Sequence, residues 1–489
     1  MVLFLCPESI DLRDNTLLRY VTFGTDGDER TPEAKETFSV INPATENVIC
    51  RLPDLNEDAT LDAVQAVVKA SRVVGSDLSP QDRSDILLAW KALMIENIED
   101  LAKIITSENG KPLTEARAEV HYAANFLGWF AGEALRIEGS VPRPSDRANR
   151  VVVIRQPVGP VAVITPWNFP AAMITRKVGA AFAAGCGSVV KPAAETPLTA
   201  IAIAELARRA GVPNGALQII TTLKNTVQVG KVLTQHPDIC KMSFTGSSSV
   251  GKLLATQCTS TMKRVSLELG GNAPFIVFDD ADIETATKAL IASKFRHSGQ
   301  TCVCTNRAYV QSGIYDRLLQ AVTNEVERFS LGNGMYSSTT HGPLISPAAV
   351  KKNEHFVRDA VNKGAKVSVG GRAATSLGSS FFEPTVLANV SPDALCAKEE
   401  IFGPILPLIR FDTEDQVIQL ANDTKSGLAG YIATGDLARG WRLAEILNVG
   451  MVGVNAGSIS DVASPFGGVK ESGQGREGSV LGIDEYLEA

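Results

Sequence analysis

Met242-Ser243-Phe244-Thr245-Gly246-Ser247-Ser248-Ser249-Val250-Gly251 runs from an apolar strand pattern through a Gly-Ser turn into the start of a helix. Unpaired amides at a helix N-terminus, approached closely because Gly246 carries no side chain, form an anion site suited to a pyrophosphate. From this segment alone, a plain helix-capping turn reads equally well. The Gly-x-Gly-x-x-Gly fingerprint is absent, and Gly251-Lys252 is followed by Leu253 where a phosphate-binding P-loop needs a metal-binding hydroxyl. The surroundings decide the fold. Upstream, Val161-Ala162-Val163-Ile164, Ser188-Val189-Val190 and Leu217-Gln218-Ile219-Ile220 are short apolar runs separated by helical patterns. One helix runs to Ala184, and another opens with Thr196 as N-cap and Pro197 at its first position. From Phe275 to about Val454 the alternation returns, with Ala308-Tyr309-Val310, Val367-Ser368-Val369 and Met451-Val452-Gly453-Val454 as strands. This pattern predicts two α/β lobes, each an open and largely parallel sheet with helices on both faces, and a ligand site between them at carboxyl ends of strands.

Before residue 140 the chain reads as an irregular leader, a strand at Phe38–Ile41 and then amphipathic helices; a polar stretch from Gly139 to Asn149 marks a boundary or an exposed excursion. At 489 residues and 44 % hydrophobic composition, the chain can fill two or three lobes. A formal charge of −7 argues against a nucleic-acid partner and leaves small molecules as the expected ligands. Eight cysteines without dense spacing fit a reducing compartment, and the cytoplasm is the expected location. The five histidines are scattered, so no metal site is expected. Val2–Leu5 is a short apolar patch without a basic flank, which fits neither a signal nor a transit peptide, and no apolar run is long enough for a membrane span.

Gln300-Thr301-Cys302-Val303-Cys304 begins in a Gly299-bracketed loop after a helical run, Ile283 to Arg296, and Cys302 lies 34 positions after Glu268. A cysteine so placed can face a cleft as a nucleophile, whereas Cys186, Cys240 and Cys258 sit among apolar or small neighbours and are expected to pack. Glu268, in Ser266-Leu267-Glu268-Leu269-Gly270-Gly271, is an acid out of place in an apolar strand, which suits a general base or a buried ion pair. In Thr165-Pro166-Trp167-Asn168-Phe169-Pro170, two prolines fix the turn and hold Asn168 as an oxyanion donor; a plain Pro-rich turn is the alternative. Lys191 ends a strand facing the crevice. Arg176 and Arg296, each near a proposed catalytic residue, imply a substrate with its own carboxylate or phosphate; taken singly, each reads as a surface arginine.

Together these residues resemble the NAD(P)-dependent aldehyde dehydrogenase superfamily over essentially the whole chain, and within it the succinate-semialdehyde branch. The motifs are Ile164-Thr165-Pro166-Trp167-Asn168-Phe169-Pro170, Lys191-Pro192, Phe244-Thr245-Gly246-Ser247, Glu268-Leu269-Gly270-Gly271, Gly299-Gln300-Thr301-Cys302, Glu400-Ile401-Phe402-Gly403-Pro404 and Pro465-Phe466-Gly467-Gly468. The resemblance implies a Rossmann-like cofactor lobe (1–137 and 158–266), an α/β catalytic lobe (267–455), a small β oligomerisation flap (138–157 and 470–489) joined through a pocket-lining linker (456–469), and a homodimer or homotetramer. It implies that Cys302 attacks an aldehyde, that Asn168 and the Cys302 N–H hold the oxyanion, and that Glu268 activates the water that hydrolyses the thioester. Lys191, Gly246 and Ser247 are expected at the ribose and phosphates, Glu400 at the nicotinamide ribose, Phe402 beside the nicotinamide end, and Trp167 along the crevice. Arg176, Arg296 and Ser460 match the substrate-carboxylate clamp of that branch, which puts succinate semialdehyde ahead of glutarate semialdehyde.

Two features stand apart. NAD-preferring members usually carry a glutamate three residues after the lysine, but this chain has Ala194 there and Glu195 one step on, so NADP is expected to be preferred over NAD. Cys304, one residue removed from the nucleophile, is expected either to pack or to form a readily reduced Cys302–Cys304 disulfide as a redox off-switch. The competing readings are a catalytically silent nucleotide-binding relative, opposed by the presence of both Cys302 and Glu268; a cofactor-free thiol hydrolase, opposed by the lack of a nearby histidine base; and a P-loop nucleotidase, opposed by Leu253.

Overall fold

The computed structural model describes residues 10–489; the apolar patch at Val2–Leu5 lies outside them. The strands that matter to the site are β1 (Val161–Ile164), β2 (Ser188–Lys191), β3 (Leu217–Ile219), β4 (Lys241–Thr245), β5 (Arg264–Glu268), β6 (Ala273–Val277), β7 (Thr305–Gln311), β8 (Lys366–Val369), β9 (Thr385–Ala388), β10 (Ile405–Phe411), β11 (Ala429–Ala433), β12 (Met451–Val454) and β13 (Gly473–Gln474). They form two sheets, ordered β13-β5-β4-β1-β2-β3 and β8-β9-β10-β7-β6-β11-β12. All pairings are parallel except the edge pairs β5–β13 and β8–β9. β1, β2 and β4 are buried at every position, which is why β1 and β2 read as apolar runs; β4 instead buries Lys241, Ser243 and Thr245 between Met242 and Phe244.

In the first sheet the chain builds from β1 outward to β3, then returns to lay β4 on the other side of β1. That reversal opens a crevice at the carboxyl ends of β1 and β4. The register aligns Lys191 with Ile164, Ile164 with Phe244, and Thr245 with Glu268, so the functional strand ends stand in one row. The second sheet splits its residues by the two-residue strand period: Ile276, Tyr309 and Ile409 enter the core on one face, and Phe275, Ala308 and Leu408 the core on the other.

The helices around the site are α1 (Ile98–Asn109), α2 (Leu113–Ala134), α3 (Ala172–Ala184), α4 (Pro197–Arg209), α5 (Ser248–Cys258) and α6 (Ile283–Phe295). α5 starts with Ser247 as N-cap, its side chain accepting from Val250 N–H. At α4 the expected Thr196 cap fails: Thr196 Oγ1 has no partner, and the Glu108 carboxylate accepts from Leu198 N–H and Thr199 N–H, both at 2.8 Å. A buried carboxylate is a stronger acceptor for the positive helix end than a hydroxyl. A strand that the sequence pattern did not signal, Val48–Pro53, pairs with Thr37–Ile41. The stretch from Gly139 to Asn149 is exposed almost throughout, and Gln156–Pro157 pairs with Leu487–Glu488 near the C-terminus. Of the three packing cysteines, Cys186 and Cys258 are buried and Cys240 is half-buried.

Candidate active site

A cavity of about 530 Å³ lies along the row of strand ends, with Lys191, Ser247, Glu268, Cys302, Glu400 and Phe402 in its wall. The Lys191 ammonium is buried and donates only to the Pro192 carbonyl, at 3.2 Å; burial pulls its pKa down against the opposing charges of Glu195 and Asp54. Such a group has donors left for an anion. The first turn of α5 forms part of the same wall, and a helix's first N–H groups have no intrahelical acceptors. Thr245 Oγ1, also on the wall, is buried without a partner. A second hollow of about 410 Å³ shares Ala194, Glu195 and Leu223 with the first. Glu400 accepts from Gly271 N–H at 3.1 Å, and burial pushes its pKa up to about 7. Phe402 adopts φ 53°, strained for a non-glycine residue, and meets Trp167 edge to face at 5.5 Å. Cationic donors at one end, a carboxylate for a ribose further along and an aromatic pair at the other end fit a nicotinamide dinucleotide. Among the described residues, no cluster of three or more His, Cys, Asp or Glu could hold a metal ion.

Cys302 and Glu268 meet at the inner end of this cavity, where the thiol donates to Glu268 Oε1 at 3.2 Å. Burial, with the Glu268 charge next, raises the thiol's pKa well above its ordinary value, so Cys302 rests as a neutral thiol hydrogen-bonded to Glu268. Glu268 comes from the carboxyl end of β5, but Cys302 precedes β7 at its amino end, a contribution that the strand-end rule does not anticipate. Two glycines make the approach possible. A Cβ on Gly271 would strike the Cys302 carbonyl, and one on Gly299, at φ 74°, would strike the Gly403 carbonyl. Asn168 Nδ2 donates one N–H to Gln300 O at 3.0 Å, which ties the two loops together. That amide nitrogen carries a second N–H.

Arg296 and Ser460 line one small recess with Cys304, walled by Thr301 and Val303, the residues on either side of Cys302. Arg176 stands apart from that recess, fully buried, with its guanidinium on Glu268 and Glu477 and the Phe466 ring 4.7 Å away. Although burial opposes it, the two carboxylates hold the Arg176 pKa above its ordinary value. Lys177 also pairs with Glu477. Cys302 and Cys304 are both free thiols, and Cys304 Sγ donates to Lys294 O at 3.5 Å.

Glu477 and Lys177 are the site residues that the sequence reading passed over. Each had a faint signal: Glu477 is an acid bracketed within Gly475-Arg476-Glu477-Gly478, and Lys177 follows Arg176 inside an otherwise apolar helix pattern. Tyr122, on α2, is a third, with a buried hydroxyl near Arg176, Arg296 and Ser460.

Comparison with known proteins shows the family. The aldehyde dehydrogenase family profile matches residues 30–489. The chain is 53 % identical over 459 residues to a Schizosaccharomyces pombe protein named succinate-semialdehyde dehydrogenase [NADP(+)] 1, covering 94 % of this chain and 92 % of that one. It is 48 % identical to a glutarate-semialdehyde dehydrogenase of Pseudomonas aeruginosa, covering 98 % of each. The crystal structure of succinate-semialdehyde dehydrogenase from Burkholderia pseudomallei superposes with a TM-score of 0.95 at 48 % identity, over 98 % of both chains.

Proposed function

The chain belongs to the aldehyde dehydrogenase family, and we propose that it oxidises succinate semialdehyde to succinate, with NADP favoured over NAD. The observation that carries the substrate reading is that Arg296 and Ser460 line one recess, of about 10 Å³, walled by the neighbours of Cys302, which widens to take a carboxylate. A guanidinium and a hydroxyl there suit the far carboxylate of a short semialdehyde, with Arg176 adding positive charge from the Glu268 side. Glutarate semialdehyde is the alternative, since one methylene discriminates by only about 1–3 kcal/mol.

Glu268 takes the thiol proton across the 3.2 Å contact, and the Cys302 thiolate attacks the aldehyde carbon. The second N–H of Asn168 Nδ2 and the Cys302 backbone N–H receive the oxyanion. When bound, the nicotinamide supplies the hydride acceptor, with Glu400 at its ribose and Phe402 and Trp167 beside it. Cys302 is left as a thioester. Once the thiol proton has passed from Glu268 to solvent, Glu268, oriented by Arg176, removes a proton from the attacking water and returns it to the departing Cys302 thiolate as the carboxylic acid product leaves.

Ala194 supports NADP, because no carboxylate at that position repels a 2′-phosphate, and Lys191 on the same cavity wall has donors left for one. We further propose a cytoplasmic homodimer or homotetramer. No helix among the described residues is long and apolar enough to cross a membrane.

Initial rates test the reading. Reduced, purified protein is assayed with succinate semialdehyde and butyraldehyde, each with NADP and with NAD. Turnover is expected to be at least about tenfold higher in kcat/KM for the carboxylated aldehyde, consistent with loss of a charge-assisted contact. Equal values for the two aldehydes remove the substrate claim, and a tenfold preference for NAD removes the cofactor claim.

A further inference from the structure

Behind the site, one helical corner of the first lobe grips both catalytic loops by their backbones. Asn109, at the end of α1, donates from Nδ2 to Trp167 O at 2.8 Å. Lys111, in the turn that follows, donates from Nζ to Asn168 O at 2.8 Å. Glu119, on α2, accepts from Ala171 N–H at 2.8 Å. Glu115, one turn earlier on α2, takes His297 N–H on both carboxylate oxygens, at 3.0 and 3.1 Å. None of these four side chains lines the cavity.

Stability alone does not explain them. Lys111 and Glu119 form an ion pair whose side chains are both 0 % exposed, and such a pair is commonly no better than apolar residues of the same volume. Glu115 is half-buried with no salt bridge, its one hydrogen-bond partner a backbone amide, although the Lys111 and Arg296 charges act on it. The loop it holds is under strain: His297, Ser298 and Gly299 lie at φ 50°, 51° and 74°, a left-handed run that non-glycine residues resist. The two loops also interlock. The His297 ring packs at 6.0 Å from Trp167 and 5.7 Å from Phe169, while Phe169 carries the Arg296 guanidinium at 4.6 Å and the Lys111 ammonium at 3.9 Å.

We propose that Lys111, Glu115 and Glu119 are positioning residues that fix the Asn168 loop against the Arg296–Cys302 loop, and so set the rate of aldehyde attack without touching substrate or cofactor. The proposal rests on the roles given to Asn168 and Cys302 above.

The test compares Glu115→Met, which removes the acceptor at similar size, with Glu115→Gln, which keeps one. The readouts are the single-turnover rate of NADPH formation with succinate semialdehyde and with butyraldehyde, and the KM for NADP. Glu115→Met is expected to slow single turnover at least about tenfold with both aldehydes while leaving the NADP KM within about twofold, and Glu115→Gln to recover to within about threefold of the parent. A parental rate in Glu115→Met overturns the proposal, as does a Glu115→Gln protein equally slow with its NADP KM raised in parallel. Should Glu115→Met fail to fold by thermal melting, the paired change Lys111→Met with Glu119→Leu is read the same way, and an unchanged rate there overturns it. Failure of the substrate reading looks different: the parent then turns over both aldehydes equally, and the variant-to-parent ratios are unaffected.

Discussion

Cys302 and Cys304 are one residue apart yet serve different surroundings. Cys302 opens on the large cavity and donates to Glu268, whereas Cys304 is buried, donates to the Lys294 carbonyl and lines the Arg296–Ser460 recess. Burial raises the pKa of both thiols, so neither is a standing thiolate in the unliganded protein. Oxidation therefore begins when Glu268 draws off the Cys302 proton, and joining the two sulfurs requires the 300–304 segment to turn. With peroxide as two-electron oxidant, two thiols would become one disulfide and two waters. After prolonged excess peroxide, activity is expected to return with dithiothreitol in the parent and not in Cys304→Ala, where the Cys302 sulfenic acid has no resolving thiol and a second peroxide takes it to a sulfinic acid that dithiothreitol does not reduce. Assays before and after reduction check this. Permanent loss in the parent, or equal recovery in Cys304→Ala, rejects the switch.

At the scale of elements, the loop carrying Glu400 follows a short helix, Leu395–Lys398, and brings its carboxylate under Gly271 N–H. With a pKa near 7, raised first by burial, Glu400 is protonated below neutrality and ionised above it. An ionised carboxylate accepts two ribose hydroxyls, while the protonated form spends one oxygen as a donor. Cofactor affinity carried by Glu400 is therefore fully present above about pH 7 and falls as the pH drops through that value. Fluorescence titrations with NADP between about pH 6 and 8.5 are expected to show that dependence in the parent and a flatter one in Glu400→Gln, which also controls for titration of the 2′-phosphate. Matching slopes in the two proteins dismiss the role. The same scale shows where the sequence was legible. β1 and β2 are buried on both faces, so their apolar runs, and the turns that leave them at Asn168 and Lys191, could be read from pattern alone, while β4 was legible through Met242 and Phe244 and the Gly-Ser turn at Ser247. The Thr37–Ile41 hairpin partner lacked such a run, since Val48–Pro53 alternates buried and exposed positions irregularly. Pairings across long separations were not legible: Glu108 capping α4, Glu477 on Arg176, and Glu115 on His297 are set by tertiary packing, whatever faint signal the single residue carried.

For the whole molecule, the exposed excursion around residues 139–154 poses a physical problem. Val141, Val151, Val152 and Ile154 are 70, 40, 66 and 60 % exposed, on an arm anchored by the Ser140–Val153 bridge, the Arg155–Asp484 ion pair and the short pairing of Gln156–Pro157 with Leu487–Glu488. Nearby in sequence, Arg143, Arg147 and Arg150 keep the arm's tip polar, so the apolar residues form a band at its base rather than a greasy end. Burying an aliphatic side chain fully contributes about 1.5–3 kcal/mol, and a symmetric contact uses each residue twice. A second copy of the chain is thus the natural cover for this band, in keeping with the proposed homodimer or homotetramer. Sedimentation velocity at micromolar protein is expected to show an oligomer for the parent and a shift to monomer for the double variant Val152→Asp with Ile154→Asp. The proposed catalytic residues Cys302, Glu268 and Asn168 meet within one chain, so a monomer that keeps the parental cofactor affinity but loses thermal stability would locate the arm's contribution in assembly. A parent that sediments as a monomer, or a double variant that stays assembled, would remove the arm from the interface.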